Sequence, residues 1–263
     1  MVSERVALAQ RAYDTASVQL SKQAHTIKAI SVEQHQLAQG QYIKDMVYGA
    51  SDGIVTTFAV VAGVSGAALS PAIVLIMGFA NLFGDGLSMG IGNYLGTKSE
   101  QEYVNKEKER ESWEIEHYPE GEINEVKVIL GKKGFVGKQL DEATKVITSD
   151  KKVWVETMMR DELGIVEDDR NPLKAGIATL VAFIIAGLVP MISYLLARVI
   201  PSLQQSSFLL ACILTGFSLF AVGSARSLVI AKKWYIAGIE MMLLGGVAAA
   251  VSYLAGHFVA ALA

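Results

Sequence analysis

The chain has 263 residues, of which 52% are hydrophobic, and it carries a formal net charge of -3 at pH 7. Its mean hydropathy of +0.37 is high for a soluble domain, and its apolar residues are gathered in blocks instead of being spread periodically. These features exclude an ordinary soluble domain and predict a polytopic membrane protein without a nucleic acid partner, and the single Cys212 excludes an intrachain disulfide.

Residues 1–44 precede the first apolar block and lack an apolar core long enough for a cleavable signal peptide. Apolar residues recur there at roughly helical intervals among polar ones, at Val6, Tyr13, Leu20, Ile27 and Ile30. We therefore interpret residues 1–44 as an amphipathic N-terminal arm that lies at the cytoplasmic surface of the membrane.

Five apolar stretches are long enough for a bilayer-spanning helix, which needs roughly 20 mostly apolar residues. They cover residues 46–69, 71–96, 174–198, 206–230 and 234–262. Pro71 suits the first turn of the second helix, so the first two spans form a tight hairpin, and Pro190 is expected to kink the third. The predicted fold is an all-α membrane protein with transmembrane helices 1 and 2 in residues 45–97 and helices 3 to 5 in residues 172–263.

The Lys and Arg residues near the span ends predict the orientation in the membrane. They occur in the N-terminal arm, in residues 98–171 and in the loop between spans four and five, whereas the opposite side has only Arg198. The N-terminus and the segment 98–171 are therefore expected in the cytoplasm. Because the chain is short and poor in loops, we expect the inner membrane of a prokaryotic cell, or a vacuolar membrane if the source is eukaryotic.

Residues 45–97 contain no Lys or Arg but include three acids, Asp45, Asp52 and Asp85. A charge near the bilayer centre costs about 2.5–3.5 kcal/mol, so such residues normally face a bundle interior or an ion pathway. Asp45 and Asp52 are two helical turns apart, and Asp85 shares a face with Met89 one turn later. A thioether beside a carboxylate favours Fe2+ or a similar metal over Ca2+. These four residues form a predicted cation pathway, although Asp45 could simply begin a helix and Met89 could be packing material.

Residues 98–171 form a charged insert with 13 of the 23 Lys and Arg residues and 19 of the 26 acids. Three helices are predicted: a continuation of span two to about residue 117, a second over 120–130 and a third over 138–163. Candidate ligands recur in them at helical spacing: Glu111, Glu114, Glu122, Glu125, Met158, Met159 and Glu162. Carboxylates gathered in this way repel one another, and a bound divalent cation would compensate their charge, so the insert is a predicted metal-binding domain. Any single Glu-x-x-Glu pair, like the run 106–110, is more simply explained as solvated surface.

Two motifs, DMVYGASDGIVTTF at residues 45–58 and NLFGDGLSMGIGNYL at 81–95, accompany this Glu-rich insert. Together they resemble the vacuolar iron transporter family, with its yeast and nodulin-like plant branches, over residues 45–263, and suggest a prokaryotic-type member. The resemblance implies a homodimeric secondary transporter, not an enzyme, that carries Fe2+ and often Mn2+ out of the cytoplasm in exchange for protons.

The resemblance also implies residue roles. Asp52 and Met89 match the family's pore ligands, and Asp45 matches its cytoplasmic-side acid. The seven candidate ligands of the insert match the family's metal-binding positions. Asn93 departs from the pattern, because many members have Glu there. No permanent cofactor is implied; the bound or transported ions are Fe2+ and Mn2+, with Zn2+ as a further candidate.

Two other functions fit parts of the sequence. A membrane-tethered cytoplasmic metal buffer or ferroxidase without transport would need the insert but neither Asp52 nor Met89. A ferritin-like di-iron site would need two Glu-x-x-His motifs; Glu114 with His117 supplies one and the second is missing, so His117 is interpreted as a capping or surface residue at a helix end. A scaffold with purely structural acids is the third possibility.

Overall fold

The computed structural model describes residues 4–26, 37–166, 168, 170–227 and 232–262. Within these ranges the regular secondary structure consists of eleven α-helices and a 3-10 helix, with no strand. The chain folds into two compact units, a membrane unit of residues 1–94 and 173–263 and an insert unit of residues 95–172. The all-helical prediction is therefore confirmed for the described part of the chain.

The N-terminal arm contains two short helices, α1 (Glu4–Asp14) and α2 (Val18–Ala24), where the spacing of apolar residues suggested continuous periodicity. The chain turns between them at Ala16, whose φ of 49° is left-handed, and the Ser17 hydroxyl caps α2 by accepting a hydrogen bond from the Leu20 amide. Tyr13, expected on the apolar face, is 82% exposed. The predicted positions Ile27 and Ile30 lie outside the described residues.

The membrane unit is built from long apolar helices, which the hydropathy blocks predict. They are α3 (Leu37–Gly66), α4 (Pro71–His117), α8 (Pro172–Gly187), α9 (Val189–Val199), α10 (Ser207–Arg226) and α11 (Trp234–Leu262), with the 3-10 helix Pro201–Ser206 before α10. By length and composition, four single helices can cross a membrane, and the bent pair α8–α9 gives a fifth when its two helices are counted as one span. The five predicted spans thus have counterparts, and the chain is a multi-pass membrane protein.

The third span is broken rather than merely kinked. Helices α8 and α9 meet at Leu188 with a 45° bend, two residues before Pro190. Proline has no amide hydrogen to donate to the carbonyl of Ala186, and its ring crowds that carbonyl, so the α-helix cannot continue unchanged. The predicted location of the distortion is correct.

Close helix contacts in the membrane unit depend on glycine. A Cβ atom at Gly53 would lie 2.4 Å from the Phe183 carbonyl oxygen, and one at Gly256 would lie 2.0 Å from the Gly63 carbonyl oxygen. No side chain fits at either position, so α3 approaches α8 and α11 at backbone distance. This packing places the polar residues of α3 against α8.

The insert unit contains the C-terminal part of α4 followed by α5 (Pro119–Lys132), α6 (Gly137–Thr148) and α7 (Lys151–Asp161). Its core is formed by buried apolar side chains from α4, α5 and α7: Ile115, Val126, Ile129, Leu130, Trp154, Val155, Met158 and Met159. Ion pairs join Lys151 to Glu116 and Lys133 to Asp161 across these helices.

The predicted three-helix insert is wrong in one respect, because the third predicted helix is two helices. The break falls at Ser149 and Asp150, where the Asp150 side chain caps α7 by accepting from the amides of Lys152 (2.8 Å) and Val153 (3.3 Å). An aspartate that satisfies the free amides of a new helix start competes with helix continuation. The insert therefore has the end of α4 and three further helices.

Candidate functional site

Asp45 and Asn93 form a polar contact between α3 and α4. Asp45 is 5% exposed, and the Asn93 amide nitrogen lies 3.0 Å from its Oδ1. The same nitrogen lies 2.7 Å from the Thr179 hydroxyl and 3.2 Å from the Ala175 carbonyl oxygen on α8. An amide group has two hydrogens for these three acceptors, so Asn93 ties three helices together around the carboxylate of Asp45.

Asp52 and Asp85 form a second polar level in the same two helices. Asp52 is half-buried, Asp85 is exposed on the isolated chain, and the two carboxylates are close enough to repel each other. Asp52 is 14 residues from Gly66 and Asp85 is 14 residues from Pro71, so each lies about 21 Å along its helix from the hairpin. The structure therefore places these two predicted pathway residues at the same distance from the hairpin, within range of each other's charge.

Met89 lies on α4, one turn after Asp85, and is half-buried. Asp85 is itself exposed on the isolated chain. An exposed acid within a membrane-spanning helix lies on a face that meets either lipid or another protein surface. The role of Met89 as a metal ligand stays a prediction.

The five predicted glutamates of the insert come together from three helices. Glu111 and Glu114 lie on α4, Glu122 and Glu125 on α5, and Glu162 caps the C-terminus of α7. The charges of Glu114, Glu125 and Glu162 act on both Glu111 and Glu122. We call these five residues the glutamate cluster.

Two members of the glutamate cluster are buried. Glu111 is 1% exposed and Glu122 is 5% exposed, and both Glu111 oxygens and the Glu122 Oε2 lack a hydrogen-bond partner. Burial, together with the neighbouring carboxylates, raises the pKa of each from 4.5 to about 7. Burial and the charge of Glu125 also raise the pKa of Glu162. A buried carboxylate without donors is costly unless a proton or a cation binds it.

Arg110 supplies positive charge to this cluster. Its Nη1 lies 2.6 Å from Glu114 Oε2, its Nη2 lies 2.7 Å from Glu111 Oε1, and its Nε lies 3.0 Å from Glu107 Oε2. The contact with Glu111 is an ion pair without a directed hydrogen bond, which is why the Glu111 oxygens are unsatisfied. The run 106–110 is thus more than solvated surface, and the spacing of Arg110, three residues after Glu107 and four before Glu114, is the sequence signal for two of these ion pairs.

Met158 and Met159 are 0% and 2% exposed and belong to the hydrophobic core of the insert unit. That core includes Ile115 and Val126, which are chain neighbours of Glu114 and Glu125. The methionines therefore have a packing role in the structure, and their role as metal ligands stays a prediction.

A cavity of about 410 Å3 opens beside the glutamate cluster. It is lined by Glu125, Glu162, Asp161, Lys132, Lys133, Val128 and Ile129. Among the residues that the structure describes, no three His, Cys, Asp or Glu side chains are arranged to hold one metal ion. The cluster thus has the charge and the access for a cation, and its side chains would have to move to surround one.

His117 does not contribute to the cluster. Its ring stacks on Trp113 with centroids 4.2 Å apart, and its Nδ1 lies 2.8 Å from the Trp113 carbonyl oxygen. The exposed ring is held at the end of α4, which agrees with its interpretation as a surface residue.

Comparisons with known proteins place this chain among transporters. A model described as the VIT family matches residues 43–257. The chain is 33% identical to a vacuolar iron transporter of Toxoplasma gondii over 257 residues, covering 93% of this chain and 85% of that protein. It is 32% identical to one of Plasmodium falciparum, covering 97% of both, and 30% identical to vacuolar iron transporter 1 of Arabidopsis thaliana, covering 90% and 93%. Because the Plasmodium match covers 97% of this chain, it includes most of the N-terminal arm.

Proposed function

Because this chain belongs to the VIT family, we propose that it is a secondary transporter that moves Fe2+, and also Mn2+, out of the cytoplasm in exchange for protons. The observation that carries the proposal is the pair Asp52 and Asp85, two acids in adjacent apolar helices that lie equally far from the hairpin and whose charges act on each other. Two carboxylates that repel each other there are stabilised by a shared proton or a divalent cation. A proton that returns to the cytoplasm can therefore take the place of the released metal ion on these carboxylates.

The glutamate cluster would capture the ion before transport. Its buried carboxylates can exchange a proton for a metal ion near neutral pH, because the pKa values of Glu111 and Glu122 are about 7. Carboxylates accept both Fe2+ and Mn2+, and Zn2+ is a further candidate. Asp45, Asp52, Asp85 and Met89 would then form the pathway through the membrane unit. We expect transport without a catalysed reaction.

We further propose that two copies form the transporting unit. Asp85 is exposed on the isolated chain within a predicted span, and facing lipid there would cost roughly 2.5–3.5 kcal/mol. A second copy covering this face of α4 would remove that cost. Light scattering of the detergent-solubilised chain should give twice the mass of 28.2 kDa for the protein component, and a monomeric mass would oppose this part of the proposal.

The distribution of basic residues supports an insert and an N-terminus in the cytoplasm, since 13 of the 23 Lys and Arg residues lie in residues 98–171. The proposed location is the inner membrane if the chain comes from a prokaryote and a vacuolar membrane if it comes from a eukaryote. Cysteine accessibility at an exposed insert position, such as Lys138→Cys in intact cells, tests the orientation.

Flux through proteoliposomes tests the transport proposal. Vesicles with an acidic interior and an entrapped metal-sensitive dye should take up Fe2+ and Mn2+, and a protonophore should slow the uptake. Asp52→Asn keeps the side-chain shape but removes the charge, so uptake should fall to the protein-free background. Glu109→Gln, an exposed acid on α4, is the matched control and should transport normally.

The outcomes separate the candidate functions. Metal binding without flux in the wild-type chain would contradict transport and favour a membrane-tethered metal buffer. Oxidation of Fe2+ without flux would favour a ferroxidase. Uptake that does not depend on the pH gradient would contradict the proton exchange but not the transport of metal.

A further inference from the structure

Arg110 holds the position that a bound cation would need. Its guanidinium contacts Glu111 Oε1 and Glu114 Oε2 at 2.7 and 2.6 Å. Both glutamates are predicted metal ligands, and these oxygens would be their donors. A divalent ion and a guanidinium cannot share the same carboxylate oxygens at contact distance, because their positive charges repel strongly in a partly buried site.

The guanidinium is a poor match for part of this cluster. Both Glu111 oxygens remain without a hydrogen bond although Nη2 is at ion-pair distance, and Glu122 Oε2 also has no partner. These two side chains are more than nine-tenths buried, and the charge of each acts on the other. Arg110 therefore neutralises the cluster electrostatically while leaving its innermost oxygens unsatisfied, which a small divalent ion would correct.

Arg110 can also leave. Its side chain is 42% exposed, so only a rotation toward solvent is needed to vacate the cluster. The lysines that pair elsewhere in this unit bind other acids: Lys127 binds Asp141, Lys133 binds Asp161 and Lys151 binds Glu116. Those three contacts can persist while the cluster exchanges its cation.

We propose that Arg110 is a built-in counter-ion that occupies the glutamate cluster in the metal-free protein and is displaced when a divalent transition-metal ion binds Glu111 and Glu114. This inference rests on the proposed metal capture by the insert. Arg110 lowers the apparent metal affinity and thereby sets the free metal concentration at which the cluster fills. It also keeps the carboxylates of the metal-free protein from repelling one another.

Calorimetric titration of the full-length chain in detergent with Mn2+ tests this inference. At pH 7.5 and low salt, Arg110→Gln should bind Mn2+ roughly tenfold more tightly than wild type, the scale of one removed charge in a partly exposed site. Arg110→Lys keeps the charge but loses the fork geometry, so its affinity should fall between the two. Lys138→Gln removes a charge from an exposed pair with Glu142 and should change affinity less than twofold.

An unchanged or weaker affinity in Arg110→Gln would overturn the inference, because Arg110 would then position the carboxylates instead of competing with the metal. If Arg110→Gln does not fold, Arg110→Lys serves instead: tighter Mn2+ binding than wild type supports the inference, and unchanged or weaker binding overturns it. A wild-type chain that binds no Mn2+ would overturn both the inference and the capture step. The expected order of affinities without flux in proteoliposomes would refute transport and leave the role of Arg110 intact.

Discussion

Replacing Glu111 by Gln should make the metal-free protein more stable at high pH. A pKa raised from 4.5 to about 7 means that ionising this carboxylate above pH 7 costs the folded state roughly 3 kcal/mol. Part of this cost is mutual repulsion with Glu122, whose pKa is raised to a similar value, so the two costs overlap. We expect Glu111→Gln to recover about 1–3 kcal/mol at pH 8.

The direction with pH follows from proton linkage. Because the folded pKa lies above the ordinary value, the folded state binds more protons than the unfolded chain between about pH 4.5 and 7. The stabilisation from the protonated carboxyl is fully present below pH 4.5 and is lost as the pH rises through 7. Wild type should therefore lose stability between pH 5 and 8, whereas Glu111→Gln should lose less.

Metal should reverse this effect in the wild-type chain. An ion that binds only the folded state at 100 times its dissociation constant adds about 2.7 kcal/mol of stability. We expect Mn2+ at pH 8 to raise the unfolding midpoint of wild type and to raise that of Glu111→Gln much less, because a neutral amide replaces a charged ligand.

Thermal unfolding can be followed locally through Trp154, which is 6% exposed in the insert core, after Trp113 and Trp234 have been replaced by Phe. Glu109→Gln, an exposed acid on the same helix, is the control for the charge change. The reasoning is refuted if Glu111→Gln is no more stable than wild type at pH 8 without metal.

Three further substitutions test the packing of the two units. Asn93→Ala removes the amide donor of Asp45 and should lower the unfolding free energy by about 1–3 kcal/mol in denaturant titrations; no change would mean that water replaces the amide. Gly53→Ala places a Cβ 2.4 Å from the Phe183 carbonyl oxygen, so the unfolding midpoint should fall by the equivalent of about 1–3 kcal/mol. Asp150→Ala should cost about 1 kcal/mol as a lost helix cap, while Asp150→Asn should cost little.

Hydropathy predicted the membrane unit well because each span is a long local signal. Helix α11 covers Trp234–Leu262, the predicted range, and α10 ends at Arg226 within the predicted fourth span. The insert was harder, since its helices are short and their ends depend on single caps. Asp150 looked like one more charged residue within a helix, and only its hydrogen bonds to the α7 amides identify it as a helix start.

The candidate site also has features that the sequence predicted and features that required the tertiary structure. Helical spacing was enough to select the glutamates, because residues three or four apart share a face. Spacing could not say which carboxylates are buried, since their burial depends on how α4 packs against the other helices of the insert unit. Asn93 was visible as a departure from the resembled family, yet its contact with Asp45 is 48 residues away in sequence and required the tertiary structure.

The positions of both polar pairs in the membrane unit, Asp52 with Asp85 and Asp45 with Asn93, can be counted from the hairpin that joins α3 and α4. Asp52 and Asp85 stand 14 residues on either side of the hairpin ends, and Asp45 and Asn93 stand 21 and 22 residues from them. Inserting or deleting one residue between the hairpin and Asp52, or between the hairpin and Asp85, would rotate every polar group beyond it by about 100° and shift it by about 1.5 Å. Both pairings would then be lost at once. Length changes in these helices are therefore tolerable only outside the counted segments, in the hairpin loop at residues 67–70 or beyond Asn93.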